Sequence, residues 1–142
     1  MRCQDIMKGK IQFFGVTDSA MEIARRMKEQ KFGFAPICSK DGRPIGAVTD
    51  RDLALRVCGE DRRASKTHAG DLMTHETVTV LETDDVVRAE ELMAEHHKSR
   101  IMVVDGHGKL VGVISLSDLA LLESDQKYAS TARRISEREA RA

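Results

Sequence analysis

Gly46-Ala47-Val48-Thr49-Asp50-Arg51-Asp52 is answered, 66 positions on, by Gly112-Val113-Ile114-Ser115-Leu116-Ser117-Asp118. Each stretch runs glycine, two small or branched apolar residues, a hydroxyl, two further residues and an aspartate. The apolar run ends a buried strand, and the hydroxyl falls at the junction with a helix whose first turn carries the aspartate. The same shift aligns Asp5-Ile6-Met7 with Asp71-Leu72-Met73, Thr17-Asp18 with Thr83-Asp84, and Asp52-Leu53-Ala54-Leu55 with Asp118-Leu119-Ala120-Leu121, without a gap. A repeat of this length holds several elements, so each copy reads as one supersecondary unit that buries its apolar face against its twin. The cleft between the copies is the expected seat of function.

Working outward, each copy reads as strand, helix, strand, strand, helix. In the first, residues 11–14 are a short strand candidate. Ser19 with Glu22 has capping-box spacing and starts a helix whose apolar stripe is Ala20, Ile23, Ala24 and Met27. Residues 34–38 and 45–48 are buried strands joined by a tight turn at Lys40-Asp41-Gly42. A second helix opens near Asp50 and runs through Leu53, Ala54 and Leu55. In the second copy, residues 77–80 form a strand and Asp84-Asp85 caps a helix carrying Val86, Ala89 and Met93. Residues 101–104 turn through Asp105-Gly106-His107-Gly108 into residues 110–114, and residues 116–122 close the unit. The boundaries are residues 1–58 for the first copy, 59–69 for a polar connection, 70–122 for the second copy and 123–142 for a polar tail. That tail either frays or is ordered on a partner through Tyr128 and Ile135.

The 142 residues are 41% hydrophobic and 32% charged, which suffices for one core but leaves each half alone marginal. Lys plus Arg equals Asp plus Glu at 23 each, so no global field draws in nucleic acid or an anionic membrane, and any anion site is local. No apolar run approaches the roughly 18 residues of a membrane span, and the opening residues lack a signal-peptide core, so a cytoplasmic location is expected. Cys3, Cys38 and Cys58 are widely spaced and odd in number, which argues against a disulfide framework or a zinc site. Cys38, in an apolar run, reads as a buried inert thiol. His96 and His97 are adjacent on a predicted helix end, roughly 100° apart, and so do not converge on one metal.

At the paired motif two readings stand. A carboxylate in the first turn of a helix favours its dipole and caps it. Equally, a hydroxyl and an acceptor-only carboxylate three residues apart grip a vicinal diol, with helix N–H groups beside them for an anion. Two occurrences at matching positions point to two related small-molecule sites.

The two Asp-x-Met openings, the strands Ala35-Pro36-Ile37-Cys38 and Ile101-Met102-Val103-Val104-Asp105, and the paired Gly-x-x-Thr/Ser-x-x-Asp motifs together carry a family likeness. From Gln4 to Leu122 the chain resembles the tandem cystathionine-β-synthase (CBS) domain pair, or Bateman module. It is most similar to the stand-alone bacterial type, whose first motif often reads Thr-Asp-Arg-Asp as Thr49 to Asp52 does. The resemblance implies an α+β fold of two β-α-β-β-α units related by a pseudo-twofold axis, dimerised into a disc. It implies AMP, ADP or ATP as ligand, in some members NAD or S-adenosylmethionine, with no cofactor required. Asp52 or Asp118 would hold the ribose, with Thr49 or Ser115 near sugar and phosphate and Ser117 in the same motif. Adenine is expected between Ile11-Gln12 or Thr77-Val78 and the segment before the second strand, Phe32-Gly33-Phe34-Ala35 or Lys98-Ser99-Arg100-Ile101. Basic residues there contact phosphates in the family, which makes Arg100 and Lys98 the phosphate candidates, with Arg51 behind them. For Lys98 and Arg100 the alternative is a solvated strand edge. The chain departs from the family at Met102, where proline is usual, and at Phe34, which stands where the second copy has Arg100.

The function so implied is a non-catalytic sensor of adenine nucleotides, reporting to a downstream protein that the sequence does not identify. The alternative is a structural or protein-interaction dimer without nucleotide. Neither a Walker A loop nor a G-x-S-x-G elbow nor a cysteine beside an evident base speaks for an enzyme.

Overall fold

Caps and glycine turns set the element boundaries. The computed structural model describes residues 1–75, 77–122 and 125–140. Along the chain it places α1 (Cys3–Ile6), α2 (Ala20–Gln30), β1 (Phe34–Cys38), β2 (Pro44–Thr49), α3 (Asp50–Leu53) and α4 (Ala69–Leu72). These are followed by β3 (Thr79–Leu81), α5 (Val86–Glu95), β4 (Arg100–Val104), β5 (Leu110–Ser115), α6 (Leu116–Ala120) and α7 (Asp125–Ala140). The architecture is α+β. Ser19 Oγ accepts the Glu22 N–H at 3.1 Å to start α2, and Asp85 accepts the Val87 N–H at 3.0 Å to start α5. Antiparallel hairpins β1/β2 and β4/β5 turn through Gly42 (φ 84°) and Gly108 (φ 79°), a left-handed conformation that side chains resist. α3 continues as a π-helical turn at Ala54–Cys58, where the Gly59 N–H reaches the Ala54 carbonyl at 2.9 Å.

The chain packs into two units that do not follow the order of its repeat. One is Gln12–Thr77; the other joins Met1–Ile11 to the chain from Val78 onward. In the first unit, Ala47 and Thr74 exchange N–H···O bonds of 3.2 and 3.0 Å, so the opening of the second copy lies on β2. In the other, Lys8 and Val113 do the same at 3.0 and 3.1 Å, so the opening of the first copy lies on β5. The motif glycines make room for this. A Cβ at Gly46 would stand 2.6 Å from the Thr74 carbonyl oxygen, and one at Gly112 would stand 2.6 Å from Met7 Sδ and 2.9 Å from the Lys8 carbonyl oxygen. The glycine of one motif and the methionine of the other are thus a single packing contact.

Each unit has its own core. Ile23, Ile37, Val48 and Leu72 centre the Gln12–Thr77 unit; Met93, Ile101, Ile114 and Leu119 centre the other. A fully buried side chain of this size contributes about 1.5–3 kcal/mol. Several expectations are corrected. Residues 11–14 form no strand, only a parallel bridge from Phe14 to Ile37, whereas the second copy has β3 running parallel to β4. The reason lies across the ladder, because Pro36 has no N–H to donate and its counterpart Met102 does. Ala24 is exposed, outside the stripe of Ala20, Ile23 and Met27. The second helix of the latter copy ends at Ala120 rather than 122. Within the polar tail, residues 125–140 form α7, which docks on α5 and α6 and buries Ile135 and Thr131. The side chain of Tyr128 lies outside the described residues.

Candidate functional site

β5 runs directly into α6, and this junction gathers three segments of its unit. Arg100 pairs with Ser115 across the hairpin, and the Leu116 N–H donates to the Ser99 carbonyl at 2.8 Å. Lys8 is carried in by its backbone pairing with Val113. The Gln12–Thr77 unit repeats the arrangement at β2 and α3. There Phe34 pairs with Thr49, the Asp50 N–H donates to the Gly33 carbonyl at 3.0 Å, and Thr74 is held by Ala47. Equivalent residues lie 66 apart throughout, so the two junctions are copies of one construction.

The hydroxyl and the aspartate cap the short helix reciprocally. Asp118 Oδ2 accepts the Ser115 N–H at 2.8 Å and the Ser115 hydroxyl at 2.8 Å, while Ser115 Oγ accepts the Asp118 N–H at 3.2 Å. In the first copy Asp52 Oδ2 accepts the Thr49 N–H at 2.8 Å and the Thr49 hydroxyl at 3.0 Å, and Thr49 Oγ1 accepts the Asp52 N–H at 3.2 Å. Both hydroxyl hydrogens are therefore spent inside the cap. All of this falls on one oxygen of each carboxylate. Oδ1 takes no part in the cap, and a carboxylate oxygen has two lone-pair sites for donors such as the hydroxyls of a diol. The capping and ligand readings thus divide one side chain between its two oxygens. α6 is a single turn, and α3 runs on into the π-helical turn at Ala54–Cys58.

Around Asp118, whose side chain is 14% exposed, Lys8 Nζ stands 3.9 Å from Oδ1. Lys98 is half-buried, and Ser99, Arg100 and Ser117 are exposed. Around Asp52, Arg51 is exposed, and Asp50 Oδ1 accepts the Arg51 N–H at 2.9 Å. Phe32 packs on Phe14, with ring centroids 6.5 Å apart, and Ala35 is wholly buried in the core. Of the half-buried residues expected at the adenine, Gln12 and Thr77 belong to the unit of Asp52, Ile11 and Val78 to that of Asp118. Lys8 and Thr74 went unrecognised in the sequence, although each directly follows an Asp-x-Met opening.

Burial pushes the Cys3 and Cys38 thiols up to about 11, helped at Cys3 by Asp84 and Asp85, so both are unreactive protonated thiols at neutral pH. His97 Nδ1 lies 2.7 Å from the Arg134 carbonyl oxygen of α7. Among the described residues no group of three or more His, Cys, Asp or Glu side chains is placed to hold a metal, and no helix is long and apolar enough to cross a membrane.

Residues 3–59 and 69–125 each match the family model of the CBS domain. The uncharacterized protein YlbB of Bacillus subtilis is 36% identical over 132 residues, which cover 92% of this chain and 88% of that protein. The uncharacterized protein MK0525 of Methanopyrus kandleri is 34% identical over 107 residues, 75% of this chain, and the chain spans 55% of that relative's length. Among solved structures, the CBS domain protein PAE2072 from Pyrobaculum aerophilum, complexed with AMP, is similar with a TM-score of 0.77. It is 27% identical, over 94% of this chain and 99% of that one.

Proposed function

This chain belongs to the CBS domain family, and we propose that it is a non-catalytic regulatory module that senses adenine nucleotides through Asp52 and Asp118. The observation that carries the reading is the division of labour within each carboxylate. Oδ2 locks the helix start, fixing the orientation of Oδ1 and leaving its lone pairs for ribose hydroxyls. An oxygen so held loses little freedom when a ligand arrives. Adenine is taken at Ile11-Gln12 in one site or Thr77-Val78 in the other, and phosphates turn toward Lys98 and Arg100, with Arg51 at the first-copy site. The AMP complex of PAE2072 supports an adenine nucleotide as the ligand class.

A thermal-shift panel of AMP, ADP, ATP, NAD and S-adenosylmethionine tests this, since a ligand at about 100 times its dissociation constant adds roughly 2.7 kcal/mol. A rise in melting temperature with at least one of them is expected. Stability indifferent to all five would favour the structural-module reading, in which the aspartates only cap.

The chain also acts as a homodimer in the cytoplasm and passes its signal to a downstream protein. Support for self-association comes from Leu55 and Leu121, equivalent positions that are 55% and 86% exposed just beyond α3 and α6. Sedimentation at micromolar concentration should give a dimer for the parent and a monomer for Leu55→Glu/Leu121→Glu; a monomeric parent would refute the pairing.

A further inference from the structure

Charge separates the two junctions more sharply than the motifs do. The segments that meet at the Asp118 junction carry Lys8, Lys98 and Arg100; the equivalent positions of the Asp52 junction carry Thr74, Phe32 and Phe34. The hydroxyl of Thr74 donates to the Ala47 carbonyl at 3.3 Å, and Phe32 packs on Phe14. Within the motif, Arg51 is a cation that the second copy lacks, Ser117 being its counterpart. It is flanked by Asp50, where the second copy has Leu116. Across these aligned positions the Asp118 junction therefore has three cations and one carboxylate, and the Asp52 junction has one cation and two carboxylates.

Lys8 is the new member of this set. Its backbone is fixed by the reciprocal bonds with Val113, two residues before the cap, and its ammonium stands 3.9 Å from the oxygen that the cap leaves over. With its side chain 72% exposed against 14% for Asp118, it approaches that oxygen from the solvent side. At this distance it makes no hydrogen bond but faces the entry to Oδ1. A lysine ammonium on a four-carbon stem can swing from carboxylate to phosphate without moving its backbone.

We propose that Lys8 is the specificity-determining residue of the Asp118 site: it guards Oδ1 until a ribose takes that oxygen, then turns to the nucleotide's phosphates. The Asp118 site so takes 5′-polyphosphates, and the Asp52 site takes adenosyl compounds with little or no negative charge. This rests on the reading of both aspartates as ribose anchors.

Calorimetry with ATP and with adenosine tests it, one site at a time. On an Asp52→Asn background, Lys8→Thr should lower ATP affinity about tenfold or more and leave adenosine within about twofold, the ATP loss shrinking as salt is raised. On an Asp118→Asn background, Thr74→Lys should raise ATP affinity relative to adenosine. Equal losses for both ligands on Lys8→Thr would make Lys8 a structural residue and overturn the proposal. So would unchanged ATP affinity. If neither ligand binds the Asp52→Asn protein, the ribose reading fails and takes the proposal with it; adenosine binding that survives with no Lys8 effect refutes the proposal alone.

Discussion

Replacing Asp118 by asparagine separates the two oxygens of the carboxylate. The asparagine carbonyl can take the place of Oδ2 and still accept the Ser115 N–H and hydroxyl, which lie at 2.8 Å from it in the parent. The amide NH2 then falls where Oδ1 was, turning an acceptor into a donor. The cap survives, so stability should change by less than about 0.5 kcal/mol, whereas outright loss of such a cap costs about 1 kcal/mol. What disappears is one or two charge-assisted hydrogen bonds to the ribose, each worth about 1.5–3 kcal/mol, which is at least a tenfold loss of affinity. On an Asp52→Asn background only the Asp118 site is read, so AMP calorimetry and urea denaturation on the same samples suffice. Ser115→Ala should show the complement, a loss of about 1 kcal/mol in stability. An Asp118→Asn protein that keeps its AMP affinity within twofold while losing a kilocalorie of stability would show the carboxylate to be a cap and nothing more.

Other perturbations test the packing. Gly112→Ala places a methyl 2.6 Å from Met7 Sδ and 2.9 Å from the Lys8 carbonyl oxygen, and overpacking of this kind should cost about 1–3 kcal/mol by urea denaturation. An unchanged midpoint would mean that the Asp-x-Met segment does not hold this seat. Ile135→Ala should cost about 2–5 kcal/mol, because Ile135 is 6% exposed in the core beneath α7; a negligible loss would mean that α7 adds no stability. Iodoacetamide at about pH 8 should label Cys58, which is exposed, and spare Cys3 and Cys38 in the native protein. Since both buried thiols are raised from 9.0 to about 11, the folded state holds their protons more tightly. Their contribution to stability is present below pH 9.0 and lost as the pH rises toward 11. Equal labelling of all three thiols in the native protein would contradict their burial.

The parts of the fold that were legible in the sequence are those decided locally. Ser19 before Ala20 and Ile23, Gly42 after Lys40-Asp41, and Asp85 before Val86 each act within one turn of chain, so a single window contains cause and effect. Residues 11–14 were misread as a strand because their pairing depends on Pro36 across the ladder. Ile135 stood out as a residue that could order the tail on a partner, but one apolar residue on a polar helix makes no periodic stripe to show that it packs on its own chain. The proposed site divides in the same way. Thr49, Asp52, Ser115 and Asp118 announce themselves by repetition, Lys98 by its place before β4 and Arg100 by its place at the start of that strand. Lys8 and Thr74 were missed because they join their junctions, at Val113 and Ala47, across more than 20 residues of chain, through a contact that reverses the order of the repeats. Their signal lay in the pairing of each motif glycine with the methionine of the other copy, which no single window contains.

The measurement that bears most directly on the function is an AMP and ATP titration of the parent and of Asp52→Asn/Asp118→Asn, followed by calorimetry. The parent should give saturable binding of at least one of the two nucleotides. The double variant, equally folded by circular dichroism and denaturation midpoint, should lose at least tenfold in affinity. A parent that binds neither nucleotide, or a double variant that binds as the parent does, would contradict adenine-nucleotide sensing at these carboxylates.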